Sequence, residues 1–212
     1  RAAGFRPPPA SIGESRTRLA RRAAAAQGYN EAITWSFCSR AQAHAFGGGG
    51  DEMLVANPIA ADLDCMRPTA LAQLLVAAQR NADRGFDDAR LFEAGPAYTN
   101  TNDVGQQRTL AAVWRARAPR HWRAAPQPDI FDVKRDVLMI LAAIGAPVAS
   151  LQTSSDAPAH WRPGRVGTLK LGPKVIAFYG EIHPRTLKLI GVEAPALAFE
   201  IFLDAVPAPR AK

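Results

Sequence analysis

Residues 89–99 read Ala-Arg-Leu-Phe-Glu-Ala-Gly-Pro-Ala-Tyr-Thr, and their apolar centre, Leu91-Phe92, predicts a β-strand. The polar stretch 100–107 then predicts a turn, and residues 109–117 predict a strand that returns from it. Because strands joined by a short connection pair antiparallel, this hairpin favours a fold built on an antiparallel sheet.

Further strands are predicted on both sides of this hairpin, at residues 31–38, 166–171, 174–181 and 197–204. In the first of them, Ile33, Trp35 and Phe37 alternate with shorter or polar residues, as in a half-buried strand. Gly172-Pro173 separates the second and third, which indicates another hairpin.

Apolar residues at helical spacing, delimited by capping residues and glycines, predict four helices. They run from Ser15 or Thr17 to about Gln27, from Pro68 to before Gly85, from Asp129 or Asp132 to before Gly145, and from Pro184 to Ile190. Helices beside one mainly antiparallel sheet make an α+β domain rather than a doubly wound α/β fold.

The composition sets the class of protein. Of the 212 residues, 48% are hydrophobic and 21% are charged, which allows a sizeable core and excludes global disorder. No apolar run approaches the roughly 18 residues of a membrane span. The chain begins with Arg1 rather than Met and has no secretory signal, so we expect a piece of a longer protein. Cys38 and Cys65 show neither metal-ligand nor disulfide spacing, which suits a cytoplasmic location.

The positive charge is concentrated at the N-terminal end. Of the net charge of +7, residues 1–40 contribute +5, from seven Arg and two Glu, and the other 172 residues contribute only +2. Two explanations stay open: a GC-rich genome that favours Arg over Lys, or a phosphate-binding face near the N-terminus.

A search for chemistry finds no catalytic motif. None of the four His residues has a second His or Cys at ligand spacing, so no metal site is predicted. The densest polar and aromatic cluster is residues 160–165, His-Trp-Arg-Pro-Gly-Arg. It could stack on and contact RNA, or it could be a structured turn whose Trp packs on the core.

Four groups of motifs occur in order along the chain. They are residues 28–37 (Gly-Tyr-Asn-Glu-Ala-Ile-Thr-Trp-Ser-Phe); Asn57-Pro58-Ile59 with Met66-Arg67, the Leu71/Leu74/Leu75 helix and residues 91–95 (Leu-Phe-Glu-Ala-Gly); residues 129–134 (Asp-Ile-Phe-Asp-Val-Lys); and Pro163-Gly164-Arg165 with residues 180–184 (Gly-Glu-Ile-His-Pro) and Phe199-Glu200. Together they resemble the β subunit of bacterial phenylalanyl-tRNA synthetase over nearly the whole chain.

The resemblance implies a fold, a division of the chain and a set of partners. It implies the catalytic-like module, with the antiparallel fold of class II aminoacyl-tRNA synthetases, at residues 15–206. Residues 1–14 would be the tail of a preceding domain, and residues 207–212 the start of a linker to a C-terminal domain. The partners implied are the α subunit, in an (αβ)₂ assembly, and tRNA. ATP and Mg²⁺ would serve the holoenzyme, and the family's β-subunit magnesium ligands lie upstream of this region.

Compared with catalytic class II synthetases, the positions that would bind ATP have the wrong residues. Thr99 stands where one phosphate-binding Arg is expected, and Ala205 stands where a second is expected. Glu200 would repel phosphate, and Phe202 would fill the space that adenine needs. Each missing charged contact costs roughly 3–4 kcal/mol of transition-state stabilisation, so the resemblance implies a catalytic fold without catalysis.

The same resemblance places the α-subunit interface on the first helix and the strand after it, with Arg18 and Arg22 as candidate contacts. Two alternative functions are a self-sufficient adenylating enzyme and a free-standing nucleic-acid-binding module. The missing arginines oppose the first, and the near-neutral charge beyond residue 40 opposes the second.

Five further residues are assigned structural roles. Pro163 and Gly164 are predicted to form a turn, because Pro fixes one φ angle and Gly allows a left-handed backbone. Pro184 suits the first turn of a helix, which puts His183 at its boundary. Glu181 is expected to accept a hydrogen bond from His183 or from free N–H groups at the helix start.

Overall fold

The computed structural model describes residues 10–102, 105–115, 127–193 and 195–208. The helices in these ranges are α1 (Ile12–Ala26), α2 (Arg40–Ala45), α3 (Leu71–Ala82), α4 (Ile130–Ala143) and α5 (Pro184–Leu189). The strands are β1 (Asn30–Glu31), β2 (Phe37–Cys38), β3 (Cys65–Met66), β4 (Arg90–Tyr98), β5 (Gln106–Arg115), β6 (Gln152–Ser154), β7 (Trp161–Leu171), β8 (Lys174–Ile182) and β9 (Ala196–Phe202).

Seven strands form the main sheet, in the order β1-β4-β5-β9-β8-β7-β6. The contact between β1 and β4 is parallel, and the other five contacts are antiparallel. Strands β2 and β3 pair separately as a two-stranded ribbon. The predicted α+β class with a mainly antiparallel sheet is therefore confirmed.

Helices cover both faces of the sheet, because successive residues of a strand point to opposite sides. In β5, Leu110 and Ala112 belong to the apolar cluster that contains α1 and α4. Their neighbours Ala111 and Val113 belong to the cluster that contains α3 and Leu187 of α5. The candidate site lies on the second face.

The first helix begins earlier than predicted. Ser11 caps α1 by accepting the Glu14 N–H on its hydroxyl, and the Glu14 carboxylate accepts a hydrogen bond from the backbone N–H of Ser11, which completes a capping box. The expectation of a cap at Ser15 or Thr17 was wrong, because this reciprocal pair satisfies the free N–H groups one turn upstream. For α4, Asp129 rather than Asp132 is the cap, and the two again form a capping box.

The predicted strand at 31–38 is also wrong. It divides into β1 and β2, and residues 32–36 between them belong to neither sheet. Apolar and polar residues still alternate in this segment, but Ile33 and Trp35 point to solvent, and their side chains are 88% and 61% exposed. Hydrogen bonds to side chains of the second sheet face, and not a ladder of backbone hydrogen bonds, attach this segment to the sheet.

At the C-terminal end, β7 begins at Trp161 rather than at Val166, and β9 ends at Phe202 rather than at Asp204. The predicted hairpin is confirmed: Leu171 pairs with Lys174 across Gly172-Pro173, and Gly172 has a positive φ of 57°.

Candidate functional site

A buried ion pair lies on the second sheet face. Arg67 Nη2 donates to Glu93 Oε1 at 2.7 Å, and the two side chains are only 1% and 6% exposed. Gly95 leaves room for them, since a Cβ there would lie 2.8 Å from Arg67 Nη2. Taking two charges out of water is costly, and further hydrogen bonds must offset that cost.

Those further hydrogen bonds attach residues 34 and 35 to the sheet. Thr34 Oγ1 donates to Glu93 Oε2 at 2.5 Å and accepts from Arg67 Nη1 at 2.8 Å. Arg67 Nη1 also reaches the Trp35 carbonyl at 3.3 Å, and Arg67 Nε donates to the Pro96 carbonyl at 3.0 Å. The network thereby fixes the segment whose other side presents Ile33 and Trp35 to solvent.

A second carboxyl group lies buried on the same face. Glu200 is 5% exposed, and its Oε1 accepts a hydrogen bond from Thr69 Oγ1 at 2.6 Å. Burial raises the pKa of Glu200 to about 7, although the Thr69 hydrogen bond and the Arg67 charge act in the opposite direction. Glu200 is thus held by the segment 67–69, which covers this part of the sheet.

The other positions compared with an ATP site are scattered. Phe202 and Ala205 line a groove of about 500 Å³ together with Phe178, whose ring lies 5.8 Å from that of Phe202 in an edge-to-face contact. Thr99 is exposed at the β4–β5 turn, where its N–H donates to the Gly105 carbonyl at 2.9 Å.

These residues do not fit ATP. Arg108 does line the groove, but its Nε and Nη2 bind the Asp204 carboxylate at 2.9 and 2.8 Å. Glu200 is inaccessible, and a triphosphate would meet the Asp204 charge. In the described part of the chain, the two arginines nearest these positions, Arg67 and Arg108, are therefore already paired with carboxylates and are not free to meet charge that develops on a phosphate.

Exposed arginine and apolar side chains occur on α1 and at residues 33 and 35. A groove of about 530 Å³ joins α1 to β1 and is lined by Arg18, Arg22 and Glu31 among others. Leu19 is 43% exposed on the same helix. We call Arg18, Leu19, Arg22, Ile33 and Trp35 the N-terminal surface. Exposed apolar side chains beside Arg are typical of protein interfaces.

One arginine of α1 has a role that the sequence did not indicate. Arg16 is 7% exposed, and it donates to the carbonyls of Leu203, Val206 and Pro207 at 2.8–2.9 Å. Arg16, Ala20 and Ala24 are spaced by four residues and share the buried side of α1. This helical spacing is the sequence signal that could have indicated that Arg16 is buried. Arg16 therefore joins the start of α1 to the segment after β9.

The cluster at 160–165 is not an aromatic platform for RNA. Trp161 is 1% exposed and belongs to the core, which confirms the structural alternative for this residue. His160 packs against Phe46 at 5.0 Å, and burial lowers its pKa to about 4. Pro163 and Gly164 do not form a turn between elements. They lie in β7, where the pairing shifts between Trp161 and Val166.

The structure places His183 and Pro184 at the start of α5 and gives Glu181 partners other than those expected. His183 caps α5, accepting the Arg185 N–H on Nδ1 at 3.0 Å, and Pro184 is the first helical residue. Glu181 binds Arg162 and Arg165 instead, because their charged donors outcompete neutral N–H groups for a carboxylate.

In residues 10–102, 105–115, 127–193 and 195–208, no group of three or more His, Cys, Asp or Glu side chains is arranged to hold a metal ion. In the same part of the chain, no helix is long and apolar enough to cross a membrane.

Comparison with known proteins accords with this geometry. The family model of the phenylalanyl tRNA synthetase beta chain CLM domain matches residues 7–203. The phenylalanine–tRNA ligase beta subunit of Rhodospirillum rubrum is 50% identical over 94% of this chain and 25% of its own length. That of Bradyrhizobium diazoefficiens is 48% identical over 91% of this chain and 25% of its own length. The chain spans about a quarter of the length of these relatives.

Among solved structures, the pyrrolysyl tRNA synthetase PylSc of Desulfitobacterium hafniense superposes with a TM-score of 0.66. It is 14% identical, and the match covers 90% of this chain and 66% of that chain. At this identity the likeness concerns the fold alone, and it confirms the expected class II synthetase architecture.

Proposed function

We propose, from the premise that this chain belongs to the phenylalanyl-tRNA synthetase β-chain family, that it is a non-catalytic scaffold domain of a cytoplasmic ligase. That ligase attaches phenylalanine to its tRNA, with ATP and Mg²⁺ bound by other parts of the holoenzyme. The domain's own task is to form the interface with the catalytic α subunit in an (αβ)₂ assembly.

The observation that carries the proposal is that the chain's own side chains fill the second sheet face. Arg67 and Glu93 neutralise each other there, and Thr69 holds Glu200. A nucleotide would have to displace this buried ion pair, whose arginine, Arg67, is already neutralised by Glu93. The reading as a self-sufficient adenylating enzyme is therefore not favoured.

The interface is supported by the N-terminal surface. Ile33 and Trp35 keep their alternation while facing solvent, and the Arg67 network fixes their backbone. A preorganised Trp loses little conformational freedom on binding, so such residues carry much of the binding energy at interfaces. Arg18 and Arg22 extend this surface along α1 with forked donors.

Activity is tested by pyrophosphate exchange. We expect the 212-residue chain alone to show no exchange of pyrophosphate into ATP, either with phenylalanine or with any other amino acid. The same assay on the complex with the α subunit serves as the positive control. Exchange by the isolated chain at a rate near that of the complex would contradict the scaffold role.

The interface is tested by binding to the α subunit. We expect Trp35→Ala to weaken the affinity about 30-fold, the ratio for a loss of about 2 kcal/mol at an interface anchor. Arg18→Ala with Arg22→Ala is expected to weaken it by a smaller factor. Phe86→Ala is the matched control, since Phe86 is 65% exposed but lies outside the N-terminal surface. Equal affinities for all these variants would place the interface elsewhere.

A further inference from the structure

Two cysteines that are far apart in the sequence face each other across the β2–β3 ribbon. Cys38 pairs directly with Cys65 in the antiparallel register, and both thiols are free. The two residues are 1% and 0% exposed and belong to one apolar cluster with Ala43 and Met53. Directly opposed residues have side chains on the same face and Cα atoms about 4.5–5.5 Å apart, and a disulfide needs Cα atoms about 4.4–6.8 Å apart. The backbone therefore already has the spacing that a disulfide between them requires.

The ribbon also supports the segment that carries Trp35. Beyond the cysteines, the Arg67 N–H donates to the Ser36 carbonyl at 3.0 Å, which extends the contact between the two chain segments toward Trp35. The guanidinium of Arg67 in turn donates to the Trp35 carbonyl. A covalent bond between Cys38 and Cys65 would therefore join the Trp35 segment to the Arg67 segment, beside the hydrogen bonds that connect them in the reduced protein.

Both thiols are protected as long as the ribbon stays closed. Burial raises the pKa of Cys38 and of Cys65, and the thiolate is the species that reacts. The ribbon has only two residues in each strand and is separate from the main sheet, so few backbone hydrogen bonds must break for it to open locally. We therefore expect reaction only from the opened ribbon, more slowly than at an exposed cysteine. The dithiol is accordingly the resting state.

We propose that Cys38 and Cys65 are a redox-modification site, at which oxidised glutathione converts the dithiol into a reversible disulfide. The thiolate of one cysteine attacks a sulfur of oxidised glutathione, whose S–S bond breaks and releases one glutathione thiolate. The thiolate of the other cysteine then attacks the cysteine sulfur of this mixed disulfide and releases the second glutathione. Two protons pass from the cysteines to the glutathiones, so the cysteines are oxidised and glutathione is reduced. The opposed register favours the second step, because it holds the second sulfur opposite the first.

The test uses the full β subunit assembled with its α subunit. The complex is incubated with oxidised glutathione, unfolded in the presence of an alkylating reagent, digested and mapped by mass spectrometry. We expect a cross-linked pair of peptides that contain Cys38 and Cys65, and its loss after treatment with dithiothreitol. Hydrogen exchange at residues 36–38 and 65–67 should be about ten-fold slower in the oxidised complex, because the cross-link opposes opening of the ribbon. Alkylation of both thiols, glutathione retained on one of them, or a bond to a third cysteine would overturn the proposal.

Two single variants are the matched controls. Cys38→Ala and Cys65→Ala each remove one sulfur and keep a small apolar side chain in the cluster. Neither variant should form the cross-linked peptides, and oxidised glutathione should leave hydrogen exchange in the two segments unchanged. Slower exchange that persists in both oxidised variants would overturn the assignment, because it would arise from oxidation at another site. The peptide map of the parent complex needs no substitution, so it decides the question where a variant fails to assemble.

Discussion

Glu200→Gln should make the domain more stable at high pH and change little at low pH. Burial holds the pKa of Glu200 at about 7, whereas an unfolded chain has a Glu pKa of about 4.5. Between these values the folded state keeps a proton that the unfolded state has lost. Stability is therefore fully present below pH 4.5 and falls as the pH rises through 7. Gln keeps an oxygen acceptor for the Thr69 hydroxyl but cannot ionise, so this loss disappears.

The size of the effect follows from the two pKa values. Two pKa values so far apart correspond to roughly 3 kcal/mol when the pH lies above both of them. Ionisation of Glu200 costs on the order of 1 kcal/mol at pH 5 and about 3 kcal/mol at pH 8. The stability of Glu200→Gln relative to the parent should therefore rise by roughly 2 kcal/mol from pH 5 to pH 8.

Urea unfolding of both proteins at pH 5, 6, 7 and 8 measures this difference directly. His160, whose pKa burial lowers to about 4, makes stability rise with pH over the range 4–6.5, but it does so in both proteins and cancels. The exposed Glu52→Gln is the matched control, and its stability difference should stay constant with pH. A constant difference for Glu200→Gln, or one that shrinks as the pH rises, would refute the reasoning.

Three other substitutions test the contacts that shape the domain. Arg67→Met should cost about 3–5 kcal/mol in urea unfolding, because it leaves Glu93 buried without its partner, and Glu93→Gln in the same chain should restore part of that loss. Arg16→Met should cost about 2–3 kcal/mol by the same measurement, since it leaves three carbonyls without their donor. His183→Gln should cost about 1 kcal/mol as a lost helix cap, while aminoacylation by the assembled enzyme stays within a few-fold; a hundred-fold loss of turnover would reveal a functional histidine.

The elements that the sequence predicted well are those set by local chemistry. The β4–β5 hairpin and the Gly172-Pro173 turn depend on residues within a few positions of each other, and so does the cap of α4, for which the sequence left Asp129 and Asp132 open. The start of α1 was missed although its capping box is equally local, because Ser15 and Thr17 offered competing caps. Local signals thus give the type of an element more reliably than its first residue.

The buried charges could not be predicted, because each depends on groups far apart in the chain. Glu93 lies 26 residues from Arg67, and Arg16 lies 187 residues from its first acceptor. A lone Arg in a sequence looks solvated, since burial becomes tolerable only after folding has assembled its partners. The sequence singled out Glu200 as unsuited to phosphate, which stays a prediction, but it did not reveal that Thr69 hydrogen-bonds to Glu200.

Residues 31–35 show that a correctly recognised alternation can still lead to a wrong prediction of which side chains are buried. Alternation of apolar and polar residues indicates that one side of an extended segment is apolar, but not which body covers that side. Here Glu93 and Arg67 occupy the inner side and bind Thr34, so Ile33 and Trp35 must face outward. The Arg67–Glu93 pair would then stabilise the interface as well as the fold. It binds Thr34 on the inner side, so that Ile33 and Trp35 lie on the side where we propose that the α subunit binds. Thr34→Val removes the bridging hydroxyl but still fits the inner side. It should therefore clearly weaken α-subunit binding while lowering the melting temperature only slightly, whereas Thr34→Ser should preserve both.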